Sequence, residues 1–144
     1  MKMLFSAWQF WALLSAAFAA LTAIFAKVGV ENINSDFATF IRTIVILVVV
    51  TMLVLTLGQW QPLAEVSTRT YAFLVLSGLA TGGSWLCYFR ALKLGNAAQV
   101  APIDKLSVVY AMVLAVLVLR EPVNWQHWLG GGLIVAGAVI VALD

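Results

Sequence analysis

The run AAQVAPIDKLSVVYAMVLAVLVL, Ala97 to Leu119, is long and apolar enough to cross a bilayer, yet it holds Pro102, Asp104 and Lys105 well inside it. A charged residue at the centre of a spanning helix costs roughly 2.5–3.5 kcal/mol, so such residues normally face protein or a wet cavity and take partners. Arg42, in an earlier apolar run, lies about 9 Å along a helix from Asp36 at about 1.5 Å rise per residue, deep yet within snorkelling reach of the surface. Adjacent helical residues diverge by about 100°, so Asp104 and Lys105 are expected to look in different directions. Arg42 and Asp104 fall in the same half of the membrane, and a tie between them is the expected structural use of the acid. Lys105 is then left for an anionic or zwitterionic ligand. The alternative is that all three charges form one satisfied cluster with no substrate role.

Thr39, one turn before Arg42, then Trp85 and Tyr88 at i and i+3, and Tyr110 are expected to line the same cavity. Pro102 removes an intrahelical hydrogen bond and frees a carbonyl near residue 98, which invites a kink. Discontinuous helices near the midplane are binding elements in many carriers, although a kink also serves packing. Catalysis finds little support. His127 stands between tryptophans at a helix end, and Cys87 has no activating neighbour in sequence. No metal-ligand spacing, phosphate-cradling loop or nucleophile elbow is present, so neither a metal nor a cofactor is expected.

Five apolar segments must position these groups, at about 8–28, 37–57, 71–91, 97–119 and 126–143. They take up most of a 144-residue chain that is 64% hydrophobic and 10% charged, with a mean hydropathy of +1.05. Such a composition predicts an all-α integral membrane protein surrounded by lipid. The net charge of +2 gives no sign of a nucleic-acid partner. The amino end resembles a secretory signal, with Lys2, an apolar run and small residues at Ala17 and Ala19, but the run continues to Ala26, and Trp8 and Trp11 suit an interfacial belt. It reads as the first spanning helix. Asp36 is the expected cap of the second helix, which Gly58, Trp60 and Pro62 end; Pro122 ends the fourth.

An odd number of spans puts the two termini on opposite faces. Lys2, Arg69 and Arg120 then share one face and Lys27, Arg90 and Lys93 the other, before counting Arg42 and Lys105. Three against three gives the positive-inside rule little to act on. Either the chain inserts both ways, which permits an antiparallel dimer about an axis in the membrane plane, or another feature settles one orientation. Small residues recur at packing intervals, as Gly78 and Gly82 in the third helix and as Gly130, Gly132 and Ala136 in the fifth, with Gly131 and Gly137 nearby. They suit close helix contact within the chain, or for the fifth-helix strip a dimer interface.

From the third helix onward, YFRALKLGNAAQVAPIDKLSVV and then REPVNWQHWLGGGLIVAGAVIVAL are similar to an EamA-type domain of the drug/metabolite transporter superfamily. The five-helix count and Arg42 extend the likeness over the whole chain as one domain. The fourth helix departs from the commoner pattern, in which a proline stands near Val108, and in this respect resembles the single-domain bacterial members. The resemblance implies one half of a ten-helix inverted-repeat transporter, completed by a second antiparallel copy in the bacterial inner membrane. It implies a secondary carrier of a small metabolite working by alternating access, with Lys105 and Arg42 attracting the ligand, Asp104 orienting or neutralising them, and Trp85, Tyr88 and Tyr110 shaping the cavity. A reading from a different class is a non-transporting membrane subunit or scaffold that needs another partner chain.

Overall fold

In the computed structural model, residues 7–143 are described and form helices joined by short connections. The helices are α1 (Trp8–Val30), α2 (Ser35–Thr56), α3 (Thr68–Leu94), α4 (Ala97–Asp104), α5 (Leu106–Leu114) and α6 (Trp125–Ala142). A single 3₁₀ turn, Leu63–Glu65, precedes α3, and a π-helical segment, Ala115–Leu119, follows α5. With α4, α5 and the π segment taken as one span, five spans among the described residues are long and apolar enough to cross a membrane. Lys2, the basic residue of the signal-like stretch, lies outside the described residues.

Local chemistry sets the ends of these helices. Asn34, not Asp36, caps α2: its Oδ1 accepts from the backbone N–H groups of Asp36 at 2.8 Å and Phe37 at 3.3 Å. The Asp36 carboxylate is drawn away to Arg90 on α3. Gly58, at φ +63°, closes α2 while the Gln59 N–H reaches the Val54 carbonyl at 3.0 Å, a Schellman ending that favours glycine. Ser67 starts α3 by accepting from the Thr70 N–H at 3.1 Å. The fourth span is interrupted at Lys105, whose N–H turns back to the Pro102 carbonyl at 3.1 Å. It ends where Arg120 adopts a left-handed conformation at φ 56° and the Glu121 N–H reaches the Ala115 carbonyl at 3.2 Å.

The chain forms two compact units. In one, Ala26–Leu94, α2 packs along α3, and Val30 and Leu92 are fully buried with Ala26, Ala38 and Phe89 close to that limit. Lys27 donates from Nζ to the Leu92 carbonyl at 2.7 Å, and Lys93 donates to the Ile33 carbonyl. These contacts tie the turn between α1 and α2 to the end of α3. In the other unit, the described residues up to Phe25 together with those from Gly95, α4 and α5 both pack against α6. Most large apolar side chains point outward, the reverse of a water-soluble core and the arrangement that lipid as solvent permits.

The buried stripe of α6 runs through Gly131 and Ala138, not through the expected Gly132 and Ala136, which are exposed. A Cβ on Gly131 would stand 3.4 Å from Met112 Cε and 3.8 Å from Val109 Cγ2, so α5 approaches α6 there. Gly130 and Gly132 have no atom of their own unit within 4 Å of that position, and the same holds for Gly78 and Gly82 on α3. Three consecutive glycines conceal the rotation of the helix. A turn of about 100° between neighbours decides which of them packs.

Candidate functional site

In the α2–α3 unit, antiparallel packing sets two polar contacts in register. Nearer the end of the unit, Arg90 meets Asp36 through both carboxylate oxygens, Nε to Oδ1 at 3.1 Å and Nη2 to Oδ2 at 2.7 Å. Deeper, six residues along α2 and five back along α3, the Arg42 guanidinium carbon lies 4.1 Å from the centroid of the Trp85 ring and 5.5 Å from that of Phe89. Arg42 is half-buried. Trp85 and Phe89 stand at i and i+4, hence on one face of α3. Tyr88 is half-buried and near enough to act on Arg42 electrostatically.

The ring faces replace part of the solvation that the guanidinium loses inside a span. A cation over an aromatic face gains about 0.5–2 kcal/mol depending on desolvation, less than the roughly 2.5–3.5 kcal/mol cost of central insertion. The contact therefore offsets only part of that cost. It also places aromatic surface against one side of the group. Thr39 is buried, and its hydroxyl donates to the Ser35 carbonyl at 2.9 Å, so its proton is already used on its own helix.

The second constellation lies in the other unit. Lys105 Nζ lies 3.2 Å from Asp104 Oδ2, and the two neighbours expected to diverge form an ion pair. The cause is the helix break: Lys105 has φ −69° and ψ −8°, between α4 and α5, and its long stem folds back over the interruption that follows Pro102. Within its own unit Asp104 pairs with Lys105, and within the α2–α3 unit Arg42 rests on Trp85. Tyr110 is 67% exposed on α5 and thus does not point into the packing of its unit.

The structure accordingly brings Arg42, Trp85 and Tyr88 together, and separately joins Asp104 to Lys105 beside Pro102. One residue and one pairing near the first group were not singled out from the sequence. Phe89 could have been found as the i+4 partner of Trp85. The Asp36–Arg90 pair spans 54 positions, and no local signal announces it. Among the described residues no three His, Cys, Asp or Glu side chains gather as metal ligands.

Residues 6–143 match the model of the EamA-like transporter family. A Sinorhizobium protein named as an uncharacterized transporter in the cobO 3' region is 64% identical over 136 residues, covering 94% of this chain and 96% of that protein. No solved structure matches the chain.

Proposed function

This chain belongs to the EamA-like transporter family, and from that premise we propose a secondary carrier of a small anionic or zwitterionic metabolite. Its whole length acts as one transmembrane domain. Two oppositely inserted copies in the bacterial inner membrane form the working unit and expose the site alternately to each side. The observation that carries the reading is the interruption of the fourth span at Lys105, with an ion pair at the break. Helices broken inside the membrane supply charged and backbone groups to ligands at a point where the protein must also flex.

Lys105 attracts the ligand, Asp104 holds it in check while the site is empty, and Tyr110 stands on the same span; Arg42, Trp85 and Tyr88 form a second ligand-attracting group within the α2–α3 unit. Pro102 provides the hinge. The dimer is supported by the balanced basic residues of the two faces and by Gly78, Gly82, Gly130 and Gly132, which have open space around them within their own units. The open glycine faces also suit the second reading, a scaffold that assembles with a different chain.

Reconstitution of the purified protein alone into liposomes separates the two. A carrier exchanges a radiolabelled amino acid or small carboxylate from a broad panel with saturation, and the flux disappears in Lys105→Met. Flux that persists in that variant removes Lys105 from the site, and absence of exchange across the panel from a correctly inserted protein favours the scaffold.

A further inference from the structure

We infer that Arg42 is a recognition group for a monoanionic carboxylate and that Trp85 is the residue that positions it. The inference rests on the carrier reading, since it names the chemical class the carrier takes and places a carboxylate-recognition group on α2.

Three observations carry it. First, the guanidinium carbon lies over the Trp85 ring, 4.1 Å from its centroid, with the Phe89 centroid at 5.5 Å, so aromatic surface holds the group. A guanidinium so held has lost much of the rotational freedom that a free arginine gives up on binding. Second, among the described residues of its unit the fork makes no ion pair or hydrogen bond; the acid of that unit nearest along α2, Asp36, is engaged by both arms of Arg90. Third, Lys105 is matched by Asp104. Of the two deep cations, Lys105 has a carboxylate beside it and Arg42 has none among the described residues of its unit.

The charge decides the class. One uncompensated guanidinium neutralises one negative charge inside a span, which suits a carboxylate and leaves a phosphate dianion with excess charge in a medium of low dielectric. The geometry agrees. Planar carboxylate oxygens dock side by side on the fork, in the guanidinium plane. The apolar stem of such a ligand then runs beside Trp85 and Phe89, over aromatic surface.

The test reads binding directly, independently of transport. The chain has four arginines, so protein carrying ¹⁵N-arginine, in nanodiscs of phosphatidylcholine, gives a small set of side-chain Nε resonances, of which the Arg42 signal is identified by its loss in Arg42→Lys. Sodium benzoate is titrated against it, with inorganic phosphate and chloride as controls. We expect a saturable shift of the Arg42 resonance with benzoate, no saturation with either control, and midpoints about tenfold weaker in Trp85→Leu but within about threefold in Trp85→Phe, since one order of magnitude matches the loss of an aromatic platform. No saturable response to benzoate, or an equal response to phosphate, overturns the inference. So does a shift that follows added phosphatidylglycerol and that benzoate fails to displace, because the ligand is then a lipid headgroup. Flux in liposomes without an Arg42 response leaves the carrier reading intact and removes this one; an Arg42 response without flux does the reverse.

Discussion

The Arg42 guanidinium rests on the Trp85 ring, 4.1 Å from its centroid, one step deeper in the α2–α3 pair than the Asp36–Arg90 contact. Two arginines thus use the same helix pair in different ways. Arg90 is 64% exposed at the side chain and finds a carboxylate; Arg42 is half-buried and finds aromatic faces. The difference follows depth, since a flat, weakly hydrated guanidinium is the cation best able to trade water for a ring.

The Arg42–Trp85 contact should register as coupling. In detergent-solubilised protein, Arg42→Gln and Trp85→Leu singly destabilise, and the double variant loses less than the sum, by about 0.5–2 kcal/mol. Additive losses in a thermal unfolding series would show that ring and cation merely sit side by side.

The Asp36–Arg90 contact is exposed and two-pronged, so its value lies in register more than in energy. Reversing either charge alone, Asp36→Arg or Arg90→Asp, should lower the yield of folded protein and its melting temperature. The combined reversal should recover most of both. Failure of the double reversal to recover either quantity would assign the damage to the Asn34 cap or to the Lys93 contact instead.

The spanning helices were legible in the sequence because an apolar run of the right length has few other uses in a chain of this composition. α3 is longer at both ends than its apolar core suggested, Thr68–Leu94 in place of 71–91, because Ser67 caps it early and helix-compatible residues carry it past Ala91. The polar groups inside the spans were legible by residue type, but their pairing was not. Arg42, Trp85 and Tyr88 stood out as misfits in apolar helices, whereas the partner of Asp104 depended on a backbone break whose local geometry no helical wheel describes. Asn34 and Asp36 are both good capping residues, and the choice between them was made by Arg90, far along the chain.

The Asp104–Lys105 pair makes a prediction opposite to that of a tie between Asp104 and Arg42. Asp104→Asn strands Lys105 within a span, and Lys105→Met strands Asp104, so each alone should reduce insertion and stability. Removing both together should be milder than removing either. Flux should vanish in all variants lacking Lys105. If the double variant is the least stable of the three, the two residues serve different partners.

The glycines of α6 should separate protomer packing from assembly. Gly131→Leu drives a side chain toward Met112 and Val109 and should cost about 1–3 kcal/mol of stability. Gly132→Leu meets open space within its unit and should leave the fold unaffected. Cross-linking in membranes then tells whether Gly132→Leu reduces dimer yield. Unchanged yield would remove this strip from the interface and direct attention to Gly78 and Gly82.

The balance of basic residues makes a quantitative claim about orientation. Asn32 and Gln61 are exposed in connections on opposite faces, so in a Cys87→Ser background a single cysteine at either position reports its side by labelling with an impermeant thiol reagent. Mixed insertion gives partial labelling at both. Arg120→Gln then leaves fewer basic residues on the face it shares with Arg69 than on the face of Lys27, Arg90 and Lys93, and the latter face should move toward the cytoplasm. Labelling at Gln61 should rise while that at Asn32 falls, and transport should fall with it, because a population inserted one way lacks its antiparallel partner. Labelling confined to one position in the parent protein, unmoved by Arg120→Gln, would mean that the orientation is fixed and that an antiparallel partner must be another chain.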